Sequence, residues 1–220
     1  MARKPIWSVT FDYPGRLGDD PGAELRDRGD LAGAEAAARR ALRENAKARG
    51  PGHKDALPLL DSLGITLLCA SMFREAVPVL GEALRVSGEQ LGRRHEDTLT
   101  RLMNLGLAMI RADDPEGALD LFDEAMELKA GPAGQEAGSS GRTAGSEGQE
   151  DWQTLTLKEY FGIALAETGR RLDAILVLQE VLDALERLDP PDERLIGMAR
   201  INLDIASRLR DGGFGSGPNP

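Results

Sequence analysis

The chain has 220 residues, a formal net charge of −10, 41% hydrophobic and 4% aromatic residues, and a single cysteine. That charge argues against nucleic acid and anionic membrane as partners, since both call for a basic footprint, and Cys69 alone cannot close an internal disulfide, which suits a reducing compartment. No run reaches the roughly 20 apolar residues of a membrane span, and the basic start Met1-Ala2-Arg3-Lys4 meets Asp12 and Pro14 too soon for a signal-peptide core, so a cytoplasmic protein is expected.

In chain order, residues 6–13 (Ile6-Trp7-Ser8-Val9-Thr10-Phe11-Asp12-Tyr13) alternate like an extended strand and hold three of the nine aromatics. Pro21-Gly22 then confines any helix to the short stretch 23–28. Helical spacing of apolar residues follows near 31–47, 55–70, 73–87, 97–112, 115–129, 152–168, 171–187 and 192–210. Leu99, Leu102, Met103, Leu105, Leu107 and Ile110 outline one of these helices. Ala118, Leu119, Leu121, Phe122, Ala125 and Met126 outline its successor. Between them Asp113-Asp114-Pro115 stops one helix and starts the next, with proline in the new first turn. Gly169 holds the corresponding place later on. Residues 131–150 contain six glycines with Ser, Gln and Glu; this composition cannot offset the entropy of ordering, and a flexible loop is expected. The last helix mixes Ile201, Leu203, Ile205 and Leu209 with Arg200, Asn202, Asp204, Arg208 and Arg210, as a terminal cap with one wet face does. Asp211-Gly212-Gly213 stops it, and 211–220 read as a disordered tail.

These elements repeat. His53-Lys54-Asp55-Ala56-Leu57 recurs 42 residues on as His95-Glu96-Asp97-Thr98-Leu99, Ser62-Leu63-Gly64 as Asn104-Leu105-Gly106, and Ala83-Leu84 as Ala125-Met126. Leu155, Gly162 and Ala174 match Leu99, Gly106 and Ala118 at an offset of 56, one period plus 14 residues that fall in the Gly-rich loop. Ile201-Asn202-Leu203 then follows Tyr160-Phe161-Gly162 at close to the regular period. Upstream, Gly33-Ala34 and Ala41-Leu42 match the second half of a unit. A fixed period in this range marks a stacked array whose units cannot bury their apolar faces singly. The reading is an all-α fold of antiparallel helix pairs, about three full repeats with a half repeat at each end. An N-terminal extension over 1–28 precedes the array at 29–210.

The spacing Leu105-Gly106, Ala118, Phe122, Ala125 resembles the tetratricopeptide repeat (TPR), as do Leu63-Gly64, Ala76, Leu80, Ala83 and Phe161-Gly162, Ala174, Leu178, Val181. The long period, with Gly50-Pro51-Gly52-His53 and Gly92-Arg93-Arg94-His95 opening successive units, is similar to the kinesin-light-chain subtype. The usual proline after the histidine is missing from both copies, and only His95-Glu96-Asp97-Thr98-Leu99 keeps the Thr-Leu. The resemblance implies a right-handed α-solenoid whose first helices line a concave groove. Small residues at Gly64, Gly106 and Gly162, and at Ala76, Ala118 and Ala174, let paired helices approach.

Carried over from the family pattern, the groove candidates are Asp61, Ser62 and Ile65, then Met103, Asn104, Leu107 and Arg111. The later helices add Glu159, Tyr160 and Ile163 with Glu167, and Asn202 and Arg208 with Ile201. Asn104 and Asn202 stand where relatives hydrogen-bond a bound peptide's backbone, since an amide offers both donor and acceptor; the alternative is that they bond neighbouring helices. Asp61, Glu159 and Glu167 against Arg111 and Arg208 do not make the basic clamp of chaperone-tail binders. A mixed or mildly basic, hydrophobic peptide fits better.

Other candidates reduce to structure. His53 and His95 lack partners at ligand spacing, so no metal is expected, and they read as helix-start residues. Cys69 lies in an apolar helix with no histidine to activate it, as a small core or groove residue. Gly213-Phe214-Gly215-Ser216-Gly217 lacks the strand, lysine and helix of a phosphate loop. The aromatic segment at 6–13 either covers the first repeat in place of its missing helix, which is the preferred reading, or docks into the groove or onto a partner. The expected function is a non-catalytic adaptor or scaffold that binds a protein or peptide, with no cofactor, no nucleic acid, no membrane, and self-association open to an apolar groove. Alternatives are a regulatory or sensor fragment of a larger repeat-bearing receptor or motor-adaptor system, or a non-catalytic subunit of an enzyme complex.

Overall fold

The computed structural model of the chain describes Trp7, Val9 and residues 20–50, 52–130, 152–188 and 190–209. The expected Gly-rich loop, the C-terminal tail and most of the aromatic segment lie outside the described residues. Trp7 and Val9 belong to no helix or strand. Among the described residues there are nine α-helices and no strand: α1 (Ala23–Asp27), α2 (Leu31–Arg49), α3 (Leu57–Cys69), α4 (Phe73–Leu91), α5 (Glu96–Arg111), α6 (Pro115–Ala130), α7 (Trp152–Glu167), α8 (Arg171–Glu186) and α9 (Glu193–Arg208). A short 3-10 turn, Lys54–Ala56, leads into α3. None of the described helices is long and apolar enough to cross a membrane.

The helix ends follow from particular side chains. His53 and His95 take the N-cap place at their helix starts, each accepting through Nδ1 from the backbone N–H two residues on, Asp55 and Asp97, at 3.2 Å. That satisfies an N–H left over by the first turn and accounts for the recurrence of histidine at one offset. Asp30 caps α2 through the Gly33 N–H, and Asp192 caps α9 through those of Arg194 and Leu195. The turns inside pairs repeat just as closely. Gly29, Ser71, Asp113 and Gly169 occupy one register and all have positive φ, 78°, 57°, 80° and 85°. Only this left-handed residue reverses the chain quickly enough to bring the next helix back antiparallel. Gly29 also shows that α1 and α2 form a pair with a truncated first helix. Pro21 and Gly22 account for the truncation, and the Asp20 side chain holds the Gly22 N–H at 2.9 Å instead of a preceding helical turn.

The chain divides into two compact units, one holding α1–α5 and the other holding Trp7, Val9 and α6–α9. In the first, each helix packs on the next in sequence, and Ala56, Leu57, Leu60, Ala83 and Val86 form a core with Leu42 and Val79 against it. A Cβ added at Gly64 would lie 2.6 Å from Leu80 Cδ2, which is why α3 tolerates no side chain where α4 crosses it. In the second unit α7 packs on α6, α8 and α9. Its core joins Leu155, Val181, Leu182, Leu185, Ile196 and Ala199. Gly162 repeats the close approach, its added Cβ falling 2.8 Å from Leu178 Cγ.

Candidate interaction surface

The groove register was assigned to the first helix of each pair, and the structure shows how that register is used. In the first unit Asp61 of α3 is held by Arg101 of α5 in a two-pronged ion pair, Nε to Oδ1 at 2.9 Å and Nη2 to Oδ2 at 2.6 Å. The remaining guanidinium nitrogen donates to Ser87 Oγ at 3.0 Å and to the Asp97 carbonyl at 2.9 Å. Ser87 is in turn bonded to Thr98 at 2.7 Å. Burial pushes the Asp61 carboxyl up, against the pull of Arg101. Ser62 donates to Asp20, and Arg26 pairs with Asp20 while donating to Ser62 Oγ and to Thr66 Oγ1. Burial works to raise the Asp20 carboxyl, yet Arg26, Ser62 and the Gly22 N–H together hold it below the usual range. Arg111 lies over the Phe73 ring at 4.9 Å, a cation–π contact that leaves it exposed.

In the second unit Asn202 Nδ2 donates to Glu159 Oε1 at 2.8 Å, which ties α9 to α7. Burial pushes the Glu159 carboxyl up to about 7, the Asn202 amide offsetting only part of that cost. Tyr160 packs against Phe122 of α6 with ring centroids 6.4 Å apart. Arg208 pairs with Asp204 on the exposed side of α9. Ile201, beside it, is 51% exposed. Trp7 is buried, and its indole N–H donates to Glu167 Oε1 at 2.6 Å in the last turn of α7.

Of the fourteen groove candidates, Asp61, Ser62, Ile65, Met103, Asn104, Leu107, Glu159, Tyr160, Ile163 and Asn202 are all 3% exposed or less, whereas Arg111, Ile201 and Arg208 are exposed and Glu167 is half-buried. For Asn202 the neighbouring-helix reading describes the bond seen. Cys69, read as core or groove, is exposed at the end of α3. Sequence reasoning missed Arg101, which it passed over inside an apolar helix. It also missed Asp20 and the Trp7–Glu167 contact. One signal was available: Asp20 and Ser62 stand one full period apart and Asp61 and Arg101 nearly so, the separation at which successive first helices stack.

Residues 98–130, covering most of α5 and α6, match the family model of the tetratricopeptide repeat. No curated protein matches the chain. Among solved structures, the nearly identical TPR-like repeats of a Podosopora anserina protein designated a kinesin light chain share 16% identity with it at a TM-score of 0.65, covering 85% of this chain and 82% of that one. A single-substitution variant of that protein gives a TM-score of 0.68 at 16% identity, over 90% of this chain and 88% of the other. The fold is therefore that of a kinesin-light-chain-like TPR array.

Proposed function

We propose that this chain, a tetratricopeptide-repeat array of the kinesin-light-chain-like kind, is a non-catalytic protein-interaction module that holds a peptide or partner segment along the groove register of its first helices. The observation that carries the reading is the repeat itself: one helix pair is used again and again, so the same register returns on α3, α5, α7 and α9. Such repetition suits a recurring contact register within each unit rather than a single reaction centre. The polar groups buried in that register support the same reading. Asp61 is held by Arg101, Asp20 by Arg26, and Glu159 by Asn202, so each serves to align helices. The positions left for contact are Arg111, Ile201 and Arg208. Their mixture of cation and apolar surface suits a partner with apolar anchors. The net charge of −10 supports a protein partner over nucleic acid or anionic membrane.

The test is a binding comparison at matched helicity. Arg111→Glu, Ile201→Ser and Arg208→Glu together should weaken capture of a protein partner by an order of magnitude or more, as hot-spot loss does. Leu172→Ser with Leu176→Ser, at residues 65% and 70% exposed on α8, should leave it unchanged. Loss only in the α8 pair would move the interaction off the groove register.

A further inference from the structure

A repeat array carries its own comparison for each surface position. Gly29, Ser71, Asp113 and Gly169 share one place in the turns, each with positive φ, so residues at a fixed distance after them stand at equivalent places on the second helices α2, α4, α6 and α8. Three and seven residues on lie Ala32 and Ala36, then Arg74 and Pro78, then Glu116 and Asp120, and last Leu172 and Leu176. All of them are exposed, so helix pairing leaves this place in water on every one of the four helices. Packing therefore does not call for leucine here; alanine, arginine and carboxylates serve elsewhere in the same chain. Leu172 and Leu176 are neighbours on one helix face, four residues apart. At 65% and 70% they are the most exposed large apolar side chains among the described residues. A lone exposed leucine needs no explanation, but an adjacent pair set where the sister helices carry alanine, proline or charge marks a contact.

The charges beside the pair indicate what covers it. Arg170 stands just before Leu172, and Glu180 stands one turn beyond Leu176, with side chains 57% and 61% exposed. Two α8 helices set antiparallel about a two-fold axis bring Leu172 of each copy against Leu176 of the other. The same arrangement carries Arg170 of each copy to Glu180 of the other. Within the chain Arg170 pairs with Asp173 and Glu180 with Lys158, and exposed pairs of this kind exchange partners at little cost. The patch is thus complementary to itself, as a two-fold contact between identical surfaces requires. We infer that the outward face of α8 around Leu172 and Leu176 is a self-association surface, on which a second copy of this chain docks its own α8 in antiparallel fashion. Two leucines and two charges from each copy make a contact of the small, reversible class. This goes beyond the groove reading and does not depend on it, since Arg111, Ile201 and Arg208 lie on α5 and α9 and take no part.

The test is sedimentation equilibrium of the full chain from about 1 µM to 1 mM, with far-UV circular dichroism as the folding control. The expected result is a mass that rises with concentration from that of one chain toward that of two. Leu172→Ser with Leu176→Ser should stay monomeric throughout at wild-type helicity. Arg170→Glu and Glu180→Arg should each weaken self-association by about tenfold or more, because each sets like charges against one another across the axis. Mixed in equal amounts, those two variants should pair again, since every charge then meets its opposite. A wild-type chain that stays monomeric over the whole range overturns the inference. So does a dimer that survives the leucine substitutions, or a mixture of the charge variants that associates no more tightly than either alone. That mixture decides the matter by itself if the leucine variant loses helicity. The triple variant Arg111→Glu, Ile201→Ser and Arg208→Glu should dimerise as wild type does. If it stays folded but monomeric, the contact lies on the groove register and this inference falls while the groove reading stands. If it dimerises and still captures partners at full strength, the groove reading falls and this inference stands.

Discussion

Glu159 on α7 sits in an environment far from water, only 3% exposed. It is a buried carboxyl whose named partner, the Asn202 amide, is neutral, and burial raises it to about 7 from an ordinary value of 4.5. Between those values the folded chain keeps a proton that the unfolded chain has released, so this site's contribution to stability falls as pH rises from about 4.5 to 7 and its full penalty is present above that. Glu159→Gln keeps an acceptor for Asn202 and carries no charge. The variant should therefore become more stable than wild type above pH 7, by up to about 3 kcal/mol, and the two should converge near pH 4.5. Urea midpoints across that range measure it. Asp61 is pushed in the same direction in both proteins, so only the difference between them reports Glu159. A difference that stays constant with pH would place the Glu159 titration back at its ordinary value. At this scale the sequence was a partial guide. It identified Glu159 and Asn202 as sharing a register, but not as sharing a bond, because register says which face a residue occupies and not what it meets there.

At the scale of helices the repeated glycines divide by neighbour. Gly162 has Leu178 Cγ at 2.8 Å from the place its Cβ would occupy, whereas Gly197 on α9 has nothing within 4 Å. Alanine gains about 1 kcal/mol over glycine in a helix interior, and overpacking costs about 1–3 kcal/mol. Gly197→Ala should thus raise the melting temperature, and Gly162→Ala should lower it because Leu178 is itself buried and has little room to retreat. Two shifts of the same sign would show that α8 yields. The helices and their pairing were legible to within a few residues, α4 running on to Leu91 past the expected end at 87. Caps such as His53 and His95, stop signals such as Asp113-Asp114-Pro115, and the Gly/Ala register are local, and local features can be read without knowing the rest of the chain. The N-terminal pair was legible only in part, since its truncated first helix, α1, gains its anchorage from Asp20 and Arg26 reaching across to Ser62 and Thr66.

Within each unit, contacts fall chiefly between successive helices, so stability is closer to a sum over neighbours than to a single block. Asp61→Asn leaves the Arg101 guanidinium buried without its counter-charge, which costs about 3–5 kcal/mol. Hydrogen exchange should then rise through α3, α4 and α5, the helices that the Arg101 network joins, while α8 and α9 keep wild-type protection. A uniform rise through all nine helices would show the array to unfold as one.

The sequence by itself determined the helix pairs, their turns, the points of close approach and the family of folds, because each depends on residues within one period of each other. Tertiary structure alone decided what fills the groove register. Ten of the fourteen candidate residues proved to be buried, several of them spent on holding helices together. Arg101 chose Asp61 and Trp7 chose Glu167 through stacking and chain reversal that join distant segments. A hydrophobic period records which face a side chain takes, but a buried polar group must also find a partner of matching charge and reach, and that choice is made only when the helices are stacked.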